Sequence, residues 1–328
     1  MRKATGKQKL LTAVGAVALG AAAREVSRRR RRLDLVGKTA VVTGGSRGLG
    51  YYLAREFANR GARIVVCARD EQELDDARGR LEKHGAAVLA VPCDVTDQDQ
   101  VKRLFAQVRE QFGHVDVLVN NAGIVQVGPM DDMTVQDYEE AMRTHFWGPL
   151  YAVMEVLPDM RRRRSGRIVN ISSIGGKISV PHLLPYSASK FALVGLSEGL
   201  RSELLMDNVY VTTVCPGLIG ASGSRREDHE RHVEDDHAWF TITDSLPGSA
   251  ISAESAAREI VEATINGVAE LVLPAPARLA AFTARVAPAG LSEILGLVIR
   301  VLPRSVGKKA ARQSGASPPR DKPKTRDA

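Results

Sequence analysis

The stretch ISSIGGKISVPHLLPYSASK, residues 171–190, holds side chains that together could move a proton. A serine pair, Ser172 and Ser173, precedes a tyrosine with a lysine four positions on, Tyr186 and Lys190. Residues at i and i+4 share one face of a helix, which would bring the Lys190 ammonium near the Tyr186 phenol. A tyrosine has an ordinary pKa of about 10, and adjacent positive charge favours the phenolate. Such a pair can give and take a proton near neutral pH. Taken singly, hydroxyls and ammonium groups in loops and helices are mostly ordinary surface chemistry, so the spacing and the surroundings must carry the argument.

A second group lies upstream. In KTAVVTGGSRGLG, Gly44, Gly48 and Gly50 follow a short apolar run, Thr39–Val42, and open an amphipathic segment, YYLAREFANRG. Glycines there let the chain turn sharply and present backbone N–H groups and a helix N-terminus to a pyrophosphate.

Both groups need a scaffold, and the apolar runs supply one. After the first strand come ARIVVCARD, AAVLAVPCDV, VDVLVNNAG (115–123), GRIVNISS, VYVTTVCPG and AELVLP, seven strands in all, separated by segments with helical spacing such as Val101, Leu104, Phe105 and Val108. Alternating strands and helices predict βαβ units and a parallel sheet with helices on both faces. Strands apolar along their whole length agree, because a parallel sheet is buried on both sides. A chain of 328 residues suits one large α/β domain with extensions.

Four motifs in this order, TGGSRGLG (43–50), NNAG (120–123), YSASK (186–190) and PG (216–217), resemble the short-chain dehydrogenase/reductase family over about residues 36–275. The resemblance implies a Rossmann-type doubly wound fold, hydride transfer between a nicotinamide cofactor and a carbonyl or alcohol, and a set of roles. The family serine stands 13 positions before the tyrosine, which selects Ser173 over Ser172. Ser173 would hold the carbonyl oxygen, Tyr186 would act as general acid and base, and Lys190 would lower its pKa and hold the nicotinamide ribose. Cofactor contacts are implied for Thr43, Gly44, Ser46, Arg47, Gly48, Leu49, Gly50, Arg69, Asp94, Asn121, Ala122, Gly123, Tyr186, Lys190, Pro216 and Gly217.

Two positions depart from the family pattern. His145 stands where many members carry an asparagine that relays protons; a histidine could relay through its two nitrogens or could simply fill the space. Ala221 replaces a threonine that would contact the nicotinamide amide, with Ser222 as a substitute. Cofactor choice follows from charge. The position where NAD-preferring members place an acid falls at Ala68, beside Arg69 and across from Arg47, and two guanidiniums suit a 2′-phosphate. NADP(H) is the expected cofactor, with Asp70 as the residue that would reverse the choice if the register were shifted by two.

The formal charge of +8 sits on the ends. Residues 1–32 hold ten Lys/Arg against one acid, residues 303–328 hold eight against two, and residues 33–302 are left at about −7. A nucleic-acid-binding domain would carry its basic face on the fold itself, so that class is set aside. The 14-residue apolar run Leu10–Ala23 is short for a membrane span. It reads either as a helix lying on an anionic membrane surface or as an Ala-rich leader. The organisation expected is a basic, apolar leader (1–32), a catalytic domain (33–275), an apolar helical extension interrupted at Pro288–Gly290 (276–303) and a disordered basic tail (304–328). Cys67, Cys93 and Cys215 form no CxxC or disulfide framework, which fits a reduced, cytoplasmic setting.

The charged segment Arg225–His237 is expected to be a lid, and its histidines match no metal-site spacing. Trp239, Phe240, His182, Leu183 and Leu184 suggest an apolar pocket for a lipophilic ketone or alcohol. A homodimer or homotetramer is expected through the helix bearing Tyr186, with Phe191, Leu193, Val194, Leu196 and Leu200 as its apolar side chains. The alternative to an enzyme is a cofactor-binding redox sensor or membrane scaffold with little or no catalysis.

Overall fold

The structure is a computed structural model that describes residues 31–220 and 250–301. The expectations for the leader up to residue 30, for Ala221, Ser222, the charged lid, Trp239 and Phe240, and for the tail beyond residue 301 lie outside the described residues.

Seven strands form one parallel sheet: β1 (Thr39–Thr43), β2 (Arg63–Ala68), β3 (Val88–Pro92), β4 (Val117–Asn120), β5 (Gly166–Ile171), β6 (Val209–Pro216) and the last strand (Glu270–Leu273). They are ordered β3-β2-β1-β4-β5-β6-last. All seven apolar runs of the sequence are present; the five central ones are buried on two faces, while the edge strands β3 and Glu270–Leu273 are only partly buried. Val41 pairs with Val65 on one side and Leu118 on the other.

Helices cover both faces. On one side α1 (Gly48–Asn59), α2 (Glu71–Glu82) and a later helix (Ala253–Ile265) bury Leu53, Phe57, Leu74, Leu81 and Ile260. On the other, α3 (Gln98–Phe112), α5 (Gly148–Arg163) and α6 (Leu184–Leu204) bury Leu104, Phe105, Val156, Met160 and Leu204. The short α4 (Val135–Met142) runs through a π-helical turn, Arg143–Trp147, into α5. Side-chain caps fix several starts: Asp97 accepts from the N–H groups of Asp99 and Gln100, and Thr134 and Asp137 make a capping box.

The chain winds from β1 outward to β3 and then returns to β4 on the other side of β1. The carboxyl ends of β1 and β4 diverge at this switch point, where an open α/β sheet binds its ligand.

Three features differ from the sequence reading. A two-stranded pair, β7 (Leu218–Gly220) with β8 (Ala250–Ser252), was not legible, since three residues per strand carry no periodicity. The apolar extension breaks at Ala287, and Pro288 opens the second helix instead of interrupting it. With the later elements numbered in order, Ala253–Ile265 is α7, Ala275–Val286 is α8, Pro288–Val301 is α9 and Glu270–Leu273 is β9. Finally, Leu193 and Val194 on α6 are buried in the core and unavailable to a partner, whereas Phe191 is exposed.

Candidate active site

The glycine-rich turn is built by polar side chains beneath it. Thr43 Oγ1 accepts from the backbone N–H of Asn121 at 2.9 Å and of Ala122 at 3.1 Å. Asn121 Nδ2 donates to the carbonyls of Thr43 and Gly44, both at 3.0 Å. These two residues therefore stitch β1 to β4 and shape the turn from below. Space then dictates glycine: a Cβ on Gly44 would sit 2.9 Å from the Ala122 Cα, and one on Gly50 would sit 2.0 Å from the Gly44 carbonyl oxygen. Gly48 has open space around it and is needed for its φ of +52°.

The cleft above has a volume of about 600 Å³ and is lined by Gly44, Ser46, Arg47, Leu49 and Gly50 from the turn, and by Ala68, Arg69 and Asp70 beyond β2. Asp94, Ala122, Gly123, Ile124 and Thr144 complete its wall. Helix α1 begins at this wall with no side-chain cap, its N-cap residue being Arg47. Uncapped N–H groups and the positive end of the helix dipole are what an anionic group requires. A dinucleotide fits the residues present, which would hold its diphosphate at the start of α1 and its adenosine between Ala68 and Asp94.

Charge at the adenosine corner is mixed. β2 ends at Ala68 and Asp70 caps α2, accepting from the Glu73 N–H at 2.9 Å, so the strand end holds Ala68 and then Arg69. Arg47, about 60% exposed, is paired with Glu73 at 2.8 Å, and Ser46 Oγ donates to the same carboxylate at 3.2 Å. Glu73 was missed from sequence because it lies one helical turn past the strand end, where only the fold brings it to the corner.

The reaction side is assembled at the end of β5. The two serines part company there. Ser172 is buried and donates to the Lys190 carbonyl at 3.1 Å, whereas Ser173 Oγ accepts from the Gly175 N–H at 3.0 Å and lies beside the Tyr186 phenol. Pro216, at the end of β6, offers its carbonyl 3.5 Å from Ser173 Oγ, and the Gly217 N–H donates to the Leu273 carbonyl. A Cβ on Gly175 would meet the Tyr186 ring at 3.1 Å, so the glycine lets the ring close over the serine.

Lys190 is buried, donates to the Ile171 carbonyl at 2.9 Å, and holds its ammonium 5.5 Å from the Tyr186 ring centre. Burial lowers its pKa to about 8. Burial also holds the phenol above its ordinary value, with the neighbouring Ser173 hydroxyl opposing. The Lys190 ammonium is turned to the Ile171 carbonyl, and desolvation of the phenolate outweighs the neighbouring Ser173 hydroxyl.

His145 lies in the π-helical turn, almost wholly buried, with its ring edge-on to Tyr186 at 5.4 Å between centres. Its Nε2 accepts from the Ile124 N–H at 3.1 Å, which places the proton on Nδ1, 2.8 Å from Ser189 Oγ. Ser189 Oγ in turn donates to the Tyr186 carbonyl at 2.8 Å. Both ring nitrogens are engaged, and burial beside Lys190 lowers the pKa to about 2. A proton relay through the imidazole has no open nitrogen to use. The ring instead ties the loop after β4 to the first turns of α6. Ser189 and Ile124 could not be foreseen as its partners, since neither carries a motif.

Comparison with known proteins agrees with this architecture. The sequence model of the family described as short chain dehydrogenase matches residues 38–232. The 3-ketodihydrosphingosine reductase of Bos taurus is 36% identical over 240 residues, 72% of this chain and 70% of that protein. Among solved structures, an actinorhodin polyketide ketoreductase variant with NADPH superposes with a TM-score of 0.65 at 33% identity, covering 72% of this chain and 95% of that one. A metagenomic short-chain oxidoreductase in complex with NADP gives 0.60 at 28% identity, over 74% and 97%.

Proposed function

The chain belongs to the short-chain dehydrogenase family, and from that premise we propose that it is an NADPH-dependent reductase of a lipophilic ketone. The observation that carries the reading is the Ser173–Tyr186 hydroxyl pair, held over the Lys190 helix face at the end of β5 and next to the switch-point cleft. The NADP(H) in two of the solved relatives supports the cofactor, as do Arg69 at the strand end and Arg47 across from it. The name of the bovine relative supports a ketone on a long chain.

The bound dinucleotide would supply a hydride to the carbonyl carbon. Ser173 Oγ donates to the carbonyl oxygen and orients it. Tyr186 Oη hands its proton to that oxygen as negative charge grows there. With an ordinary value of about 10, which burial raises, the phenol carries the proton it is to give. Lys190 keeps positive charge on the side of the phenolate that remains, its ammonium 5.5 Å from the Tyr186 ring centre. His145 and Ser189 set the position of Tyr186 and move no proton. A second copy of the chain is expected on α5 and α6, where Met154 and Phe191 are exposed.

The test is consumption of NADPH and NADH by the purified chain across aliphatic, aromatic, steroidal and sphingoid ketones, with Tyr186→Phe as control. Turnover with NADPH that the control abolishes supports the reading. Cofactor binding without turnover on any ketone replaces it with that of a nucleotide-binding sensor or scaffold.

A further inference from the structure

Helix α8 has two unlike faces. Ala277 and Ala281 pack inward on Ile174, Val194, Cys215 and Val272. Ile174 follows Ser173 directly, so this face is adjacent to the reaction side. The opposite face carries Leu279, Phe282 and Val286, spaced three and four apart and 69%, 65% and 67% exposed. At about 100° per residue these fall on one stripe. Leu297 on α9 is 58% exposed as well. Large apolar side chains bared in a row on one helix mark a surface that meets a partner.

Charge identifies the partner. Helix α8 contains no acidic residue, and Arg278 and Arg285, seven apart, run along one flank of the stripe. Arg278 is anchored by donation to the Val272 carbonyl at 2.7 Å, and Arg285 is exposed. The sequence beyond α9 adds eight Lys/Arg against two acids over residues 303–328, and residues 1–32 add ten against one, while the rest of the chain is acidic. An acidic protein surface would attract the basic flank but offers nothing to the stripe, and a second copy packed on the same stripe would bring Arg278 and Arg285 toward their own counterparts. An anionic bilayer satisfies both features. No helix among the described residues is long and apolar enough to cross a membrane, so contact would be interfacial.

We propose that the outer face of α8, through Leu279, Phe282 and Val286, docks on the headgroup region of an anionic phospholipid bilayer. The helix would lie flat, its apolar stripe among the acyl chains and Arg285 at the phosphates. This sets the Ser173 end of the site one helix thickness from the lipid, a short path for a substrate that prefers lipid to water.

Docking stands or falls without reference to turnover, so its test is separable from that of the reductase reading. The full-length chain is sedimented with phosphatidylcholine vesicles containing or lacking phosphatidylglycerol, beside a Leu279→Gln/Phe282→Gln double variant and an Arg285→Gln variant. NADPH binding and thermal melting serve as fold controls. The parent is expected to partition onto the anionic vesicles, the double variant on the order of tenfold less, and Arg285→Gln less by a few fold on anionic vesicles alone. Three outcomes overturn the proposal: a parent chain that stays in solution, a double variant that partitions like the parent, or a double variant whose mass without vesicles falls from dimer to monomer, which would assign the stripe to a second copy.

Discussion

The nucleotide side and the reaction side of the site hold their chemistry by opposite means. On the nucleotide side the backbone faces the cleft: Gly44, Gly48 and Gly50 shape a turn over Thr43 and Asn121, the helix start is uncapped, and the charged pair is Arg47, largely exposed, with Glu73, half-buried. On the reaction side the side chains do the work and are buried: Lys190, His145, Ser172 and Ser189 are each less than a tenth exposed and hydrogen-bonded. Beyond Thr43 and Asn121 beneath the turn, the first arrangement tolerates changes of side chain and is intolerant of an added Cβ. The second tolerates little change in any polar atom, because each lost partner leaves another stranded in low dielectric.

Several substitutions would break or sharpen that contrast. The largest effect is expected for Tyr186→Phe, which removes the proton donor and should lower kcat on the order of a thousandfold, with NADPH affinity, read by cofactor fluorescence, unchanged. Next comes Gly50→Ala. With a Cβ placed 2.0 Å from the Gly44 carbonyl, the turn must deform, and NADPH affinity should fall by about ten- to a hundredfold. If this variant bound cofactor normally, the backbone account of the nucleotide side would be wrong.

Arg47→Gln with Arg69→Gln removes two charged donors from the adenosine corner. NADPH affinity should fall on the order of tenfold per guanidinium in contact, while NADH affinity stays constant; an equal loss for both cofactors would separate these residues from 2′-phosphate recognition.

The buried cation offers a test by stability. Lys190 has a folded pKa of about 8 against an ordinary 10.5, so between those values the unfolded chain holds the proton more tightly. The cost of burying the ammonium is present in full below pH 8 and is relieved as pH rises through that window. Lys190→Met should therefore raise stability near pH 7 by up to about 3 kcal/mol, measured by urea unfolding, while eliminating turnover. In the parent, reduction should decline above a pH of about 8.

The smallest and most discriminating effect concerns His145, whose folded pKa is about 2. The unfolded histidine takes up a proton near pH 6.5 and the folded one does not, so stability is lost as pH falls below 6.5. Between pH 6.5 and 4.5 this amounts to about 2–3 kcal/mol. His145→Asn should lack that acid-side loss and show the parent's pH–rate profile. A relay would instead predict a shifted profile.

Legibility followed the same divide. Apolar strands, the glycine turn and the Tyr–Lys spacing were readable because burial on two faces, positive φ and helical periodicity impose composition within a few neighbouring residues. The choice of Ser173 over Ser172 came from spacing alone, and the structure turns the two hydroxyls in different directions. For His145 the sequence left a relay and a space-filling role both open, since a ring's role depends on partners 21 and 44 residues away. The same holds for Glu73 facing Arg47, 26 residues apart.

By itself, then, the amino-acid order determined the doubly wound sheet, the position of the cleft and the residue types that reach it, because local propensity and burial pattern act over short stretches of chain. The tertiary structure alone decided which nitrogen of His145 carries a proton, where the Lys190 ammonium points, and which face of α8 is left bare. Those depend on the dielectric and the hydrogen-bond partners at a point in space, and distant segments supply both.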